Sequence, residues 1–341
     1  MPIFQVFSPS RFEGSRATVV ALRGPRDQPP LLAARRSRLA AELNTNTVAF
    51  IYDAPAINQP RILDVFILAA THFIFTNVER RTAFNIVGPS EHSNQQQTTV
   101  FRIPESGLNV PVFFNPYRQV AACAVPDIAN LLKLDGPKIP WTKILETQGQ
   151  SKNLPEIEKL GQGEGKAREY PVVSLGGRSW VLVDVSDHAD VLKSVERQGI
   201  EVDGEVQGLI WFAQQKSQVG KRGEPTIDGL VIRVVYNGWE EEASANAAVM
   251  LAAWLSLEPK EDLAGKVEKL SVSDSKDENE KSGELSERRV FGVQTGAETG
   301  RPGTIALEID LKVDKQNKKK IESIVVSGRA NFTSRGQLIG T

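Results

Sequence analysis

The feature that most constrains the fold is a helical segment that is apolar on almost every side. Residues 243–255 read Ala-Ser-Ala-Asn-Ala-Ala-Val-Met-Leu-Ala-Ala-Trp-Leu, and residues 69–81 form a second segment of this kind. An exposed helix of such composition would leave a large apolar patch in water. Both helices must therefore be buried, one in each half of the chain.

Short β-type runs surround both helices. They lie at residues 3–7, 17–22, 47–52 and 61–66 in the first half, and at 170–174, 179–185, 206–212, 229–236, 304–311 and 324–329 in the second. The residues Leu175-Gly176-Gly177-Arg178 predict a hairpin turn with glycines at positive φ. We therefore predict an α+β fold of two similar lobes, each a curved, antiparallel-rich, β-barrel-like sheet around a central buried helix.

The predicted lobes span residues 1–150 and 165–341, with central helices near 70–82 and 243–256. Residues 146–168 are polar and glycine-rich, which suits a linker between the lobes. Residues 260–289 are dense in Lys, Glu, Asp and Ser, so we predict a mobile surface loop, with an interaction tail as the alternative. The last strands are placed so that they can cross back to the first lobe.

Charge and cysteine usage exclude several classes of protein. Lys and Arg total 41 against 42 Asp and Glu, so no attraction to nucleic acid or to an anionic membrane is expected. The single cysteine, Cys123, cannot form an internal disulfide or complete a zinc site, and we predict it in the core. His92 and His188 lie in polar stretches and are predicted exposed. Without a signal peptide or a long apolar span, a cytoplasmic protein is expected.

Several motifs occur in an order typical of one known family. They are Phe12-Glu13-Gly14 before an apolar strand, Glu42-Leu43-Asn44, Ala70-Thr71-His72, the segment Gly238 to Ala248, and Gly300-Arg301-Pro302. Along the whole chain this order resembles the phenazine-biosynthesis (PhzF-like) isomerase and epimerase family, which has the diaminopimelate-epimerase-like fold. The chain looks like a divergent member of that family.

The resemblance implies proton transfer at carbon, with no metal and no organic cofactor, on a small molecule that bears a carboxylate or enolate. It also implies a homodimer. Carried over by motif, the catalytic residues are His72 and Glu241. The substrate-binding residues implied in the same way are Asn46, Thr47, Thr71, Ser244, Ala245 and Asn246. The family's principal catalytic Glu falls on Thr47, its Asp on Glu241 and its Ser on Asn246.

Two hypotheses about function follow, and a third ranks below them. The first is a cofactor-independent isomerase or cyclase in secondary metabolism, in which helix N-termini and Asn246 stabilise negative charge. The second is a binding or scaffold protein that has lost catalysis, because Thr47 brings no carboxylate. An amino-acid epimerase needs two opposed bases and ranks last. In a purely structural interpretation, residues 240–242 are only acidic charges near a helix N-terminus.

Overall fold

The computed structural model describes residues 2–6, 15–22, 47–52, 62–68, 97–103, 108–115, 120–148, 157–158, 168–196, 206–218, 226–236, 239–257, 285–314 and 316–335. The predicted first central helix, near residues 70–82, lies outside these ranges, as does His92.

Strands dominate the described residues. They are β1 (Pro2–Val6), β2 (Ser15–Leu22), β3 (Thr47–Tyr52), β4 (Ile62–Leu68), β5 (Gln97–Ile103), β6 (Leu108–Asn115), β7 (Val120–Ala124), β8 (Leu132–Lys133), β9 (Lys138–Pro140), β10 (Glu169–Leu175), β11 (Arg178–Asp184), β12 (Val206–Gln218), β13 (Ile227–Tyr236), β14 (Trp239–Glu241), β15 (Leu285–Thr295), β16 (Gly303–Val313) and β17 (Lys319–Arg335). The helices are α1 (Ile128–Leu131), α2 (Trp141–Glu146) and α3 (Ala245–Leu257), with a 3-10 helix at Ser186–Lys193. The α+β class is confirmed.

The same order of strand pairing occurs twice. In the first half, β1 pairs with β2 antiparallel, β2 with β3 parallel, β3 with β4 antiparallel, β4 with β5 parallel, and β5, β6 and β7 follow antiparallel. In the second half, β10, β11, β12, β13, β15, β16 and β17 repeat that sequence of antiparallel and parallel pairs. The weak sequence repetition therefore corresponds to a repeated topology.

Strand β17 joins the two sets of strands. It pairs with β16, and further along with β7 and β1. All described strands thus belong to one 17-stranded sheet. The finer prediction of two barrel-like lobes is not confirmed, because the described strands form one continuous sheet.

Helix α3 is the buried element of the second half. Its residues from Ala247 to Ala253 are all buried, and it packs against β10, β15, β16 and β17. Ser244 caps its N-terminus by accepting the Ala247 N–H at 3.3 Å, and Arg289 donates to the carbonyl of Leu255 at 2.6 Å. The predicted burial of this helix is confirmed. No helix in the described ranges has the length and apolar character needed to cross a membrane.

A second core lies on the other face of strands β10 to β12. Its largest members are aromatic: Trp141 on α2 packs 5.7 Å from the ring of Tyr170 and 6.3 Å from that of Trp211. The two cores cover both faces of these strands, which explains their nearly continuous apolar runs.

The structure agrees with the predictions for the hairpin turn, the cysteine and one histidine. Gly176 and Gly177 have φ values of 60° and 78° in the two-residue β10–β11 turn, as the turn sequence predicts. Cys123 is buried and His188 is exposed, both as predicted. Gln148 and Ile157, within the predicted linker, are fully buried, and β15 begins at Leu285, within the range of the predicted loop.

The hydroxyl of Tyr170 gives a prediction about alkaline stability. The side chain is 3% exposed, and its hydroxyl has no hydrogen-bond partner among the described residues. Burial raises the pKa of Tyr170 from 10.0 to about 12, against a lowering effect of Arg168 and with a small raising effect of Asp184. Above pH 10 the unfolded chain loses this proton while the folded chain keeps it until about pH 12, so stability falls across that window.

We predict that Tyr170→Phe loses less stability than the wild type between pH 10 and pH 12, because it has no phenol to ionise. At pH 7 its free energy of unfolding should equal that of the wild type or exceed it by about 1 kcal/mol, since a buried unsatisfied hydroxyl is removed. Urea unfolding across this pH range is the measurement. Equal alkaline losses in the two proteins would contradict the prediction.

Candidate active site

Three successive glutamates, Glu240, Glu241 and Glu242, lead from β14 towards helix α3. Strand β14 pairs antiparallel with β13, and this places Glu240 opposite Val235 and Glu241 opposite Val234. Because side chains alternate along a strand, Glu240 and Glu241 lie on opposite faces of the sheet. Each of the three glutamates therefore meets a different environment.

Glu240 forms a buried ion pair with Arg233 of β13. The guanidinium donates from Nε to Oε1 at 2.9 Å and from Nη2 to Oε2 at 2.7 Å, and the two side chains are 4% and 1% exposed. Arg233 Nη1 also donates to the carbonyls of Leu192 and Val195, at 2.5 and 2.8 Å. The pair therefore ties β13, β14 and the end of the 3-10 helix together, and its role is structural.

Glu242 is held by Arg301, whose Nη1 donates to both carboxylate oxygens at 2.9 and 3.0 Å. Thr295 Oγ1 donates to the backbone carbonyl of Glu242 at 3.1 Å. These contacts dock the turn after β15 against the segment that enters α3. Glu242 is thus also engaged in holding backbone segments in place.

Glu241 differs from both neighbours. Its Oε2 is buried and has no hydrogen-bond partner among the described residues. A buried carboxylate oxygen without a donor is costly, since it has lost water and gained nothing in return. Such an atom, held at the entrance to a buried helix, is available to bind a ligand or to exchange a proton.

The first turn of α3 lies directly after these glutamates. Ser244 and Ala245 are each 1% exposed, and the Ser244 hydroxyl serves as the helix cap. Asn246 is half-buried in the same turn. The N-terminus of a helix presents backbone N–H groups and a partial positive charge, so this end favours an anion.

The turn from Gly296 to Arg301 closes over the same segment. Its fold is fixed by three bonds to the carbonyls of Gly296 and Ala297: Arg301 N–H at 3.0 Å, Thr299 Oγ1 at 2.8 Å and Gly300 N–H at 3.1 Å. Glu298, at its tip, has a buried Oε2 that also lacks a partner among the described residues. The turn adds a second unpaired carboxylate to this region of the protein.

The structure brings together Glu241, Ser244, Ala245 and Asn246 from the predicted site. Thr47 is the first residue of β3, where it lies opposite Ala17 of β2. Asn46, Thr71 and His72 lie outside the described residues, so their proximity to Glu241 stays a prediction. No group of three or more metal-ligating side chains occurs among the described residues.

Three residues of this region were missed from the sequence. Arg233 had a signal, because a charged residue within the apolar run Leu-Val-Ile-Arg-Val-Val must find a partner when buried. The pairing of Arg301 with Glu242 links two residues far apart in the chain, and no local pattern predicts it. The unpaired oxygen of Glu298 had no sequence signal.

Comparison with solved structures places this fold among known ones. A predicted epimerase from Pseudomonas aeruginosa is 15% identical, with a TM-score of 0.57 over 100% of this chain and 99% of that one. A phenazine biosynthesis protein of the PhzF family from Bacillus anthracis is 11% identical, with a TM-score of 0.51 over 98% of this chain and 96% of that one. The predicted likeness to the PhzF-like fold is confirmed.

Comparison of the sequence with known families and proteins finds no match. No family model matches the chain, and no curated protein matches it. The likeness is therefore one of fold, and the chemistry has to be argued from the residues of the site.

Two glycines of the turn allow a matched test of its packing. Gly296 and Gly300 both have positive φ, 71° and 73°. A Cβ on Gly296 would lie 2.4 Å from the carbonyl oxygens of Glu242 and Arg301, whereas a Cβ on Gly300 would meet nothing within 4 Å.

We predict that Gly300→Ala costs about 1 kcal/mol, the price of a left-handed alanine. Gly296→Ala should cost at least about 1 kcal/mol more, because the turn must also move away from Glu242. Urea denaturation of both variants is the measurement. Equal costs would show that the turn is not packed against the segment entering α3.

Proposed function

We propose that the protein is a cofactor-independent isomerase that moves a proton at carbon in a small metabolite bearing a carboxylate or enolate. Glu241 is the acid or base. The observation that carries this proposal is the buried, unpaired Oε2 of Glu241. Its neighbours Glu240 and Glu242 are both neutralised by arginine.

Proton transfer needs a group that is both available and held in place. A general base must come within hydrogen-bond reach of the proton that it removes, and loss of position reduces the rate steeply. The ion pairs on either side of Glu241 hold its backbone, while its own Oε2 has no partner among the described residues. This is the arrangement expected of a functional group held by structural neighbours.

The first turn of α3 supplies the complementary charge. Removing a proton next to a carbonyl or carboxylate produces negative charge on oxygen, and fixed N–H dipoles stabilise that charge. The exposed side of Asn246 and the helix N-terminus are the groups placed for this role. Ser244 and Ala245 contribute through the backbone, since the Ser244 hydroxyl is already used as a cap.

The names of the proteins with similar folds agree with this chemistry. One is described as a predicted epimerase and the other as a phenazine biosynthesis protein. Epimerisation is a proton transfer at carbon. An intramolecular cyclisation or a conjugate addition in secondary metabolism is the finer form of the proposal, and a homodimer in the cytoplasm stays a prediction.

We further propose that His72 is the second proton-transfer group. Helix α3 lies in the connection between the parallel strands β13 and β15, and the repeated topology gives the first half an equivalent connection between β4 and β5. Thr71 and His72 belong to that connection. This equivalence supports a role for the segment of His72 like that of the first turn of α3.

A non-catalytic binding protein is the second candidate. Thr47 favours it, because the residue at the start of β3 is a hydroxyl residue where the family resemblance expects a catalytic carboxylate. A protein of this kind would bind the metabolite and exchange no proton. The two candidates therefore differ in a directly measurable property.

The test is incorporation of solvent deuterium. The wild type is incubated in D₂O with a metabolite extract and a panel of enolisable carboxylic acids and α-amino acids, and mass spectrometry detects the deuterated products. We predict that Glu241→Gln lowers the exchange rate by about 10²–10⁴-fold, since the group that carries the proton is lost. The matched control Glu308→Gln, on the exposed face of β16, should exchange at the wild-type rate.

Two results would contradict the proposal. Exchange by Glu241→Gln at the wild-type rate would remove Glu241 from the mechanism. Absence of exchange by the wild type across the extract and the panel would favour the binding protein.

A further inference from the structure

Three strands of the second half place a row of side chains on one face of the sheet. Trp180 of β11 lies opposite Gly208 of β12, and Gly208 lies opposite Tyr236 of β13. Arg178 precedes Trp180 by one strand repeat, so its side chain points to the same face. Trp180 belongs to the core around α3, and Tyr236 packs against that core at its edge.

This row contains two buried hydrogen-bond donors that have no partner among the described residues. Trp180 is 1% exposed, and its indole Nε1–H has no partner among the described residues. Arg178 Nη1 is buried and lacks a partner in the same sense. The large majority of buried side-chain polar atoms are paired, and a guanidinium nitrogen is especially costly to leave unpaired. Two such donors on one strand require an explanation.

The side chains that carry the two donors contact the same aromatic ring. The guanidinium carbon of Arg178 lies 6.0 Å from the centre of the Tyr236 ring. The Trp180 ring lies 6.0 Å from the same ring at an angle of 31°. Because both side chains contact Tyr236, their free N–H groups belong to one locality.

Gly208 lies against the indole edge of Trp180 and places no side chain on it. A Cβ at this position would lie 3.0 Å from Trp180 Cδ1 and 3.1 Å from Nε1. A side chain there would press against the N–H that lacks a partner. Next to it, Gln207 lies where the β11–β12 register shifts, and its Oε1 is also buried with no partner in the part of the chain that the structure describes.

We propose that Arg178 and Trp180 form a binding subsite for a carboxylate. The carboxylate would accept from Arg178 Nη1 and from Trp180 Nε1, and the Tyr236 ring would form the wall for the apolar part of the ligand. Arginine suits this role because its planar guanidinium remains charged and matches the geometry of a carboxylate. Tryptophan can act only as a donor, which favours an acceptor oxygen as its partner.

The subsite does not rest on the proposed isomerase activity, because none of its residues is assigned to proton transfer. Glu241 lies opposite Val234, on the side of β13 away from β12. Glu241 and Tyr236 lie on one face of the sheet, because Val234 and Tyr236 are two positions apart on β13. A ligand held at Arg178 is therefore detectable whether or not the protein transfers a proton.

Binding to the indole can be observed directly by NMR. The full chain, labelled with ¹⁵N at tryptophan, is titrated with sodium benzoate at constant ionic strength, and the Trp180 indole resonance is assigned from its absence in Trp180→Phe. We predict a saturable downfield shift of this N–H, as a new acceptor oxygen would cause. Benzamide has the same ring without the charge, and it should give no saturable shift.

Variants assign the effect to the subsite. Arg178→Gln should weaken benzoate binding by at least about tenfold, and Arg178→Lys should weaken it less, which keeps the test valid if the first variant does not fold. Arg288→Gln, whose arginine is 58% exposed, should bind as the wild type does. Trp211→Phe removes another buried indole that lacks a partner, and it should leave the Trp180 shift unchanged.

Three outcomes would overturn the proposal. One is an unmoved Trp180 resonance in the wild type at saturating benzoate, which would mean that the Tyr236 ring alone satisfies the donors. Another is benzoate binding with the affinity of the wild type in both Arg178 variants. The third is a saturable shift with inorganic phosphate but not with benzoate, which would assign the subsite to phosphate.

Discussion

The buried ion pair of Arg233 and Glu240 is the interaction on which the candidate site depends. Two N–H groups of the guanidinium bind the carboxylate, and two more bind backbone carbonyls of the 3-10 helix region. A pair of this kind contributes little net stability, because both charges have lost water, but removal of one partner costs about 3–5 kcal/mol. The pair therefore fixes the positions of β13, β14 and the 3-10 helix relative to one another.

The position of Glu241 follows from the contact between Glu240 and Arg233. Once Glu240 faces Arg233, alternation along β14 turns Glu241 to the opposite face, next to Val234. The docking of Arg301 onto Glu242 then fixes the residue on the other side. Of three glutamates that are equivalent in sequence, the structure leaves one with an unpaired oxygen. The charge arrangement, more than the number of acidic residues, singles out the functional candidate.

The fold was predictable wherever composition alone decides it. Helix α3 has no polar face, so burial was its only stable outcome, and the Gly176-Gly177 turn needs residues that tolerate positive φ. Strands β5 and β15 were not predicted, because polar residues interrupt their apolar pattern. Strand β6 contains Pro111 and β7 is rich in alanine, and neither residue favours a strand. The start of β15 reads Leu-Ser-Glu-Arg-Arg, and it becomes a strand through its pairing with β16. That pairing is a property of distant segments.

The candidate site was predictable only in outline. The family resemblance pointed to Glu241, Ser244, Ala245 and Asn246, and these residues do lie together at the start of α3. The contacts that distinguish Glu241 from its neighbours are the pairs of Glu240 with Arg233, 7 positions away on the paired strand, and of Glu242 with Arg301, 59 positions away. No local pattern contains the pair with Arg301, and the same holds for the row that unites Arg178, Trp180 and Tyr236.

The central claim, that Glu241 serves chemistry while its neighbours serve structure, is tested most directly by the free energies of unfolding of three variants. Glu240→Gln should lose about 3–5 kcal/mol, because Arg233 would keep its charge in a buried site without a countercharge. Glu241→Gln should equal the wild type or exceed it in stability, as expected where a functional group is held without a partner. Glu242→Gln should lie between them, since its pair with Arg301 is partly exposed. A loss for Glu241→Gln as large as that for Glu240→Gln would show that Glu241 is a structural residue and would contradict the account.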